Sequence, residues 1–156
     1  MVTINTLNGG NITITTGGSS GSNIPERDYS KTRVWWSSNE SDFTDYELEG
    51  TISGHYDENL EVTFPIDILN IYSAPKIEIG TDVTGIGHDT FYLCANLIDI
   101  IIPETVTNIG DYAFGSCSSL TSIIIPESVD NIGNGVFEAC DNLTTITVMG
   151  KSDHDA

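Results

Sequence analysis

The chain has 156 residues and carries 23 acidic against 5 basic side chains, a formal charge of −18. That length fits one domain with a small extension, and no apolar run approaches the roughly 20 residues needed to cross a bilayer as a helix, so no membrane insertion is expected. So acidic a surface repels phosphate backbones, which makes nucleic acid and anionic membranes poor partner candidates; the acidity serves either solubility or attraction to a cationic partner or calcium.

Met1-Val2-Thr3-Ile4-Asn5 has neither a basic n-region nor an apolar h-region, so no secretory signal is expected. This leaves an intracellular or virion protein, or a mature product whose leader has been removed. Val2, Ile4, Ile12 and Ile14 alternate with polar residues around Asn8-Gly9-Gly10-Asn11, and residues 1–16 are predicted to form a hairpin. Gly17-Gly18-Ser19-Ser20-Gly21-Ser22 follows as a flexible linker. A two-stranded hairpin is marginally stable alone. Residues 1–22 therefore read as an arm, with residues 1–16 the candidate surface for self-association or for joining a larger assembly.

Residues 23–72 are aromatic and acidic; Glu40 to Asp67 holds nine carboxylates and no Lys or Arg. Strands are predicted at Thr32–Trp36, across Asp42–Ser53, and at Leu60–Phe64, where apolar and polar residues alternate.

From residue 73 to 156 the chain repeats. Val83–Asn96, Val106–Ser119 and Val129–Asn142 superpose with an offset of 23 residues. Phe91, Phe114 and Phe137 coincide, as do Cys94, Cys117 and Cys140, and Leu97, Leu120 and Leu143. Gly87, Gly110 and Gly133 coincide too, each after an isoleucine and each expected to let the chain turn. A fixed period of about 20–50 residues marks a solenoid, whose units bury their apolar faces against one another. Within Leu120–Ile125 the alternation puts Ile123 and Ile125 inward and Ser122 and Ile124 outward. Pro103 and Pro126 stop their strands, and Lys76-Ile77-Glu78-Ile79-Gly80 begins the array as a half-rung. The predicted core is the phenylalanine and leucine columns with Ile100, Ile102, Ile123, Ile125 and Ile146. Phe114 and Cys117 are expected on one face of a short helical turn.

An open solenoid end exposes backbone and apolar groups, so residues 23–72 read as a β-rich cap. Trp35 and Trp36 then either pack the cap onto the first rung or form a ligand-stacking platform.

The repeat offers no catalytic set. Every recurring position is apolar or a turn residue. The three cysteines form a ladder about 4.8 Å apart with parallel side chains, which suits buried packing and neither a disulfide nor a zinc site. His55, His88 and His154 belong to no HExxH or Cys-His cluster, and His88 falls at the exposed position of Asp111 and Asn134. Glu47 and Glu49, two apart on a predicted strand, share a face as solvated carboxylates or as an acid–base pair. Asp153-His154-Asp155 is either a weak metal ligand set or a solvated terminus. No cofactor is expected.

The stretch Ile-Gly-Asp-Tyr-Ala-Phe-Gly-Ser-Cys-Ser-Ser-Leu-Thr-Ser-Ile-Ile-Ile-Pro-Glu-Ser-Val at 109–129 resembles the 23-residue leucine-rich repeats of the BspA-like type, over residues 73–149. Asp89-Thr90-Phe91-Tyr92-Leu93-Cys94 departs by lacking the small residue before Phe, and Met149 stands where Pro is expected. The resemblance implies a mainly β leucine-rich-repeat solenoid with short helical turns. It also implies adhesion or the binding of protein or glycan rather than catalysis, and a setting in bacterial surface proteins, gut bacteria and their phages, or protozoa. The expected function is a non-enzymatic virion or bacterial-surface component displaying the repeat head; the alternative is a free glycan- or peptide-binding module. The candidate contact surface is the outward sheet face, with Lys76, Asp99, Ser122 and Thr145 in one column and Glu78, Ile101, Ile124 and Thr147 beside it.

Overall fold

The computed structural model of the protein describes the backbone of residues 2–5, 11–14, 26–56, 62–63 and 71–150, and side chains within 26–54 and 71–150. The predicted linker, the hairpin turn, Phe64 and the Asp153-His154-Asp155 tail lie outside the described residues. In chain order the strands are β1 (Val2–Asn5), β2 (Asn11–Ile14), β3 (Thr32–Trp35), β4 (Phe43–Tyr46), β5 (Gly50–Ile52), β6 (His55–Tyr56) and β7 (Val62–Thr63). After a single 3-10 turn at Ile71–Ser73 come β8 (Lys76–Glu78), β9 (Val83–Ile86), β10 (Asp99–Ile101), β11 (Asn108–Ile109), β12 (Ser122–Ile125), β13 (Asn131–Ile132) and β14 (Thr145–Val148). Among the described residues there is no α-helix. β1 and β2 pair antiparallel with Val2 opposite Ile14, the predicted hairpin; β6 and β7 form a second, short one.

The period of 23 winds residues 76–150 into a β-solenoid of about three turns with three sides. On the first side β8 and β10 pair in one sheet and β12 and β14 in another, with β10 beside β12. Ile77 is registered on Ile100 and Ile123 on Ile146. On the second side β5, β9, β11 and β13 run parallel, aligning Ile52, Ile86, Ile109 and Ile132.

The third side differs from the expected helical turn. Its segments are runs of tight turns that bond to the next rung at alternate residues. The N–H groups of Asp89, Phe91 and Leu93 donate to the carbonyls of Asp111, Ala113 and Gly115 at 2.7–2.9 Å, and those of Tyr112, Phe114 and Ser116 to Asn134, Val136 and Glu138 at 2.7–3.0 Å. Reaching this geometry requires left-handed backbone at Asp89, Tyr112 and Gly135, and again at Leu93, Ser116 and Ala139, with φ between 53° and 65°. For non-glycine residues that conformation costs about 1–2 kcal/mol each, and the rung-to-rung hydrogen bonds offset it.

The glycine column has a different purpose from the expected turn, since none of Gly87, Gly110 and Gly133 has a positive φ. A Cβ on Gly110 would lie 2.6 Å from the backbone of Gly87 and His88, and one on Gly133 2.6 Å from the Asp111 nitrogen. These glycines let successive rungs touch backbone to backbone.

The core fills as expected in its centre. Phe91, Phe114 and Phe137 stack with centroids 5.4 and 5.8 Å apart, above buried Leu97, Leu120, Ile100, Ile102, Ile123 and Ile125. Ile146 departs from the prediction. It keeps the core register but is 48% exposed, because no described rung packs on it.

At the other end β3 pairs antiparallel with β8, aligning Val34 with Ile77, and β4 pairs antiparallel with β3. The single strand predicted across Asp42–Ser53 is in fact two. β4 ends at Tyr46, and β5 begins at Gly50, whose φ is 65°, and joins the second side parallel to β9. Val34, Leu48 and Ile52 thereby join the buried cluster of the rungs.

Candidate functional site

The first side presents its outward residues in two straight columns, because paired strand residues share a face. The register sets Lys76 beside Asp99 and Ser122 beside Thr145 in one column, and Glu78 beside Ile101 and Ile124 beside Thr147 in the other. Each set of four therefore shares a face, and the contact of β10 with β12 brings the two sets together on the first side. Asp99, Ser122, Thr145 and Thr147 are exposed, and Ile101 and Ile124 are 43% and 58% exposed on neighbouring strands.

Lys76 and Glu78 are engaged by residues that precede them in the chain. The Glu78 carboxylate accepts from Arg27 Nη1 at 2.8 Å, and the Lys76 ammonium sits 4.6 Å above the Trp35 ring. The antiparallel registers extend both columns further, through Trp35 to Phe43 and through Arg33 to Asp45. Arg33 donates from Nε and Nη2 to the two oxygens of Asp45 at 2.7 and 2.9 Å while its guanidinium lies 3.6 Å from the Phe43 ring centroid. The Arg33 hydrogen bonds hold the Asp45 carboxyl below the usual carboxylate range. Arg27 stacks 4.6 Å over Tyr29 and 5.5 Å over Trp35.

Sequence reasoning missed Arg27, Arg33, Phe43 and Asp45 as neighbours of the face. The alternation of Arg33 and Trp35 with Thr32 and Val34 carried a signal for their shared side, but nothing marked the pairing of β3 with β8. Of the two readings for the tryptophans, packing is what the geometry shows. Trp35 is 5% exposed, its indole donating to the Glu40 carbonyl at 3.2 Å. Trp36 packs on the core and donates to Thr44 Oγ1 at 2.9 Å.

The other candidate groups do not converge. Glu47 and Glu49 stand between β4 and β5 rather than on a strand. They line a shallow cleft with Asp28, Lys31 and Asp82 over Leu48 and Ile52, where Lys31 reaches Glu47 at 3.2 Å. His88 is exposed, with Nδ1 3.3 Å from Asp89. The His55 and His154 side chains lie outside the described residues. Among the described residues no group of three or more His, Cys, Asp or Glu side chains is placed to hold a metal ion.

The cysteines are buried and free. The Cys117 thiol donates to the Phe91 carbonyl at 3.3 Å and the Cys140 thiol to that of Phe114 at 3.0 Å, each tying a rung to the one before. Burial pushes the Cys117 thiol up to about 12, with Cys140 adding to the effect, and drives Cys94 well above the ordinary range. Such thiols are poor nucleophiles at neutral pH.

A family model, the BspA type leucine-rich repeat region in six copies, matches residues 69–154, more than half of the chain. The chain belongs to the BspA-type leucine-rich repeat family. Among solved structures it is similar to a leucine-rich repeat protein from Bacteroides capillosus, at 25% identity and TM-score 0.48, over 64% of this chain and 77% of that one. It is also similar to the leucine-rich repeat protein of T. pallidum, at 20% identity and TM-score 0.36, over 64% of this chain and 74% of that one. No match was found among curated proteins. BspA-type leucine-rich repeats are typically protein-interaction modules. No helix among the described residues is long and apolar enough to cross a membrane.

Proposed function

We propose that this BspA-type protein is a non-enzymatic display module, a component of a phage virion or a bacterial cell surface, making adhesive or protein contacts through its outward sheet face. One observation carries the reading. The residues common to all three rungs serve the core, the turns and the thiol ladder, whereas the outward columns vary along the array and expose Ile101 and Ile124 at equivalent positions of the neighbouring strands β10 and β12. An exposed apolar patch with a polar rim has the composition of a contact site. In this reading residues 1–22 tether the head, residues 23–72 cap it and residues 73–156 display it, with residues 1–16 the means of assembly.

A second reading, a free glycan- or peptide-binding module, is favoured by Tyr29 and Phe43. They are 51% and 38% exposed at the capped end of the same face, where a ring-stacking ligand could rest.

The test is fractionation of the native host carrying the full-length chain and the Ile101→Lys, Ile124→Lys double variant. The wild type is expected with virions or the cell surface, and the variant free. A wild type that is monomeric and unattached supports the second reading instead.

A further inference from the structure

The protein is strongly acidic, yet its outward sheet face carries as many cations as carboxylates. Residues 77–150 contain no Lys or Arg, and three of the four described cations, Arg27, Arg33 and Lys76, gather at the head of the outward columns. Arg33 meets Asp45 at 2.7 Å and Arg27 meets Glu78 at 2.8 Å. Lys76 is the register neighbour of Asp99. Two of the cations are thus ion-paired and the third, its ammonium over the Trp35 ring, stands beside Asp99 in the register, so three cations match three carboxylates in number; the columns end in Ile101, Ile124, Ser122, Thr145 and Thr147, which carry no charge. The fourth described cation, Lys31, lies off this face and pairs with Glu47.

A contact surface evolved to attract a basic partner would concentrate the carboxylates that this face instead neutralises. We propose that the sheet face takes an extended segment of a partner protein with no net charge, one of whose aliphatic or aromatic side chains seats on Ile101 and Ile124. The inference rests on the sheet-face reading above and specifies its partner. The dimensions suit such a segment. The face runs over two hydrogen-bonded sets, β4-β3-β8-β10 and β12-β14, whose edges β10 and β12 touch; at about 4.8 Å per strand step the six strands span about 24 Å, which about seven extended residues cover at roughly 3.3 Å apiece. Because the local charges cancel and carboxylates farther off are screened beyond about 10 Å at 0.1 M salt, binding is insensitive to ionic strength.

The experiment pans a random peptide library against the immobilised full-length chain and, in parallel, against the Ile101→Lys, Ile124→Lys variant. The variant's melting curve is checked first, and Ser122→Lys serves as a second variant should the double change unfold. The expected result is a set of near-neutral peptides with large apolar residues, bound at least about tenfold more weakly by the variant and changing less than about threefold in affinity between low and high salt. Lys- and Arg-rich peptides that the variant also loses would overturn the uncharged partner while leaving the sheet face as the contact surface. Peptides held equally by both proteins would overturn both readings, and a library that enriches nothing on the wild type would overturn the inference.

Discussion

Ile123 and Ile146 are register partners on adjacent parallel strands, yet the first is 2% and the second 48% exposed. The same residue type at the same repeat position is core in one rung and surface in the next, because burial in a solenoid comes from the following rung rather than from the residue's own strand. Ile123→Ala is therefore expected to cost about 2–5 kcal/mol, and Ile146→Ala about 1 kcal/mol or less. Chemical denaturation of the two variants checks this; equal losses would contradict the assignment of the last rung.

Gly110 and Gly150 offer a second contrast. A Cβ at Gly110 collides with the backbone of Gly87 and His88, whereas at Gly150 nothing lies within 4 Å. Backbone cannot yield as a side chain can, so Gly110→Ala is expected to destabilise by at least about 2 kcal/mol and Gly150→Ala to stay within about 0.5 kcal/mol of wild type. Thermal melts distinguish these outcomes. A neutral Gly110→Ala would mean that the rungs do not approach as closely as described.

Much of this architecture was legible because a solenoid repeats its burial pattern. Phe91, Phe114 and Cys117 announced the core by their spacing, and the inward and outward isoleucines by alternation. What lay beyond the sequence are contacts that occur once. No periodic signal marks β3 turning antiparallel against β8, so the Arg33–Asp45 and Arg27–Glu78 pairs beside the outward columns were invisible, and nothing in residues 47–49 gave a sign that they divide β4 from β5. Nor does the residue type reveal left-handed backbone at Tyr112 or Ser116. The next rung's carbonyls impose it.

The thiol ladder makes stability depend on alkaline pH. In the unfolded chain Cys117 ionises near pH 8.5, whereas burial holds it protonated up to about 12 in the folded protein. A group whose folded pKa is raised gives its full stabilisation below the unfolded value and loses it as pH rises toward the folded one. The loss from Cys117 is expected to reach about 2 kcal/mol near pH 10, at about 1.4 kcal/mol per pH unit. Urea titrations at several pH values should show a shallower alkaline decline in Cys117→Ala than in wild type. An identical slope would contradict the burial of this thiol.

The rung-to-rung hydrogen bonding of the third side can be read amide by amide through native-state hydrogen exchange. Phe91, Leu93, Tyr112, Phe114 and Ser116 donate to the following rung, so their amides are expected to exchange near the rate set by global unfolding. The equivalent Gly135, Phe137 and Ala139 have no such acceptor among the described residues, and their amides are expected to exchange orders of magnitude faster. That contrast, an alternating protected row in two successive rungs and an open row in the third, is what the solenoid predicts. Continuous helix-like protection through residues 111–117, or fast exchange at Phe114 and Ser116, would contradict it.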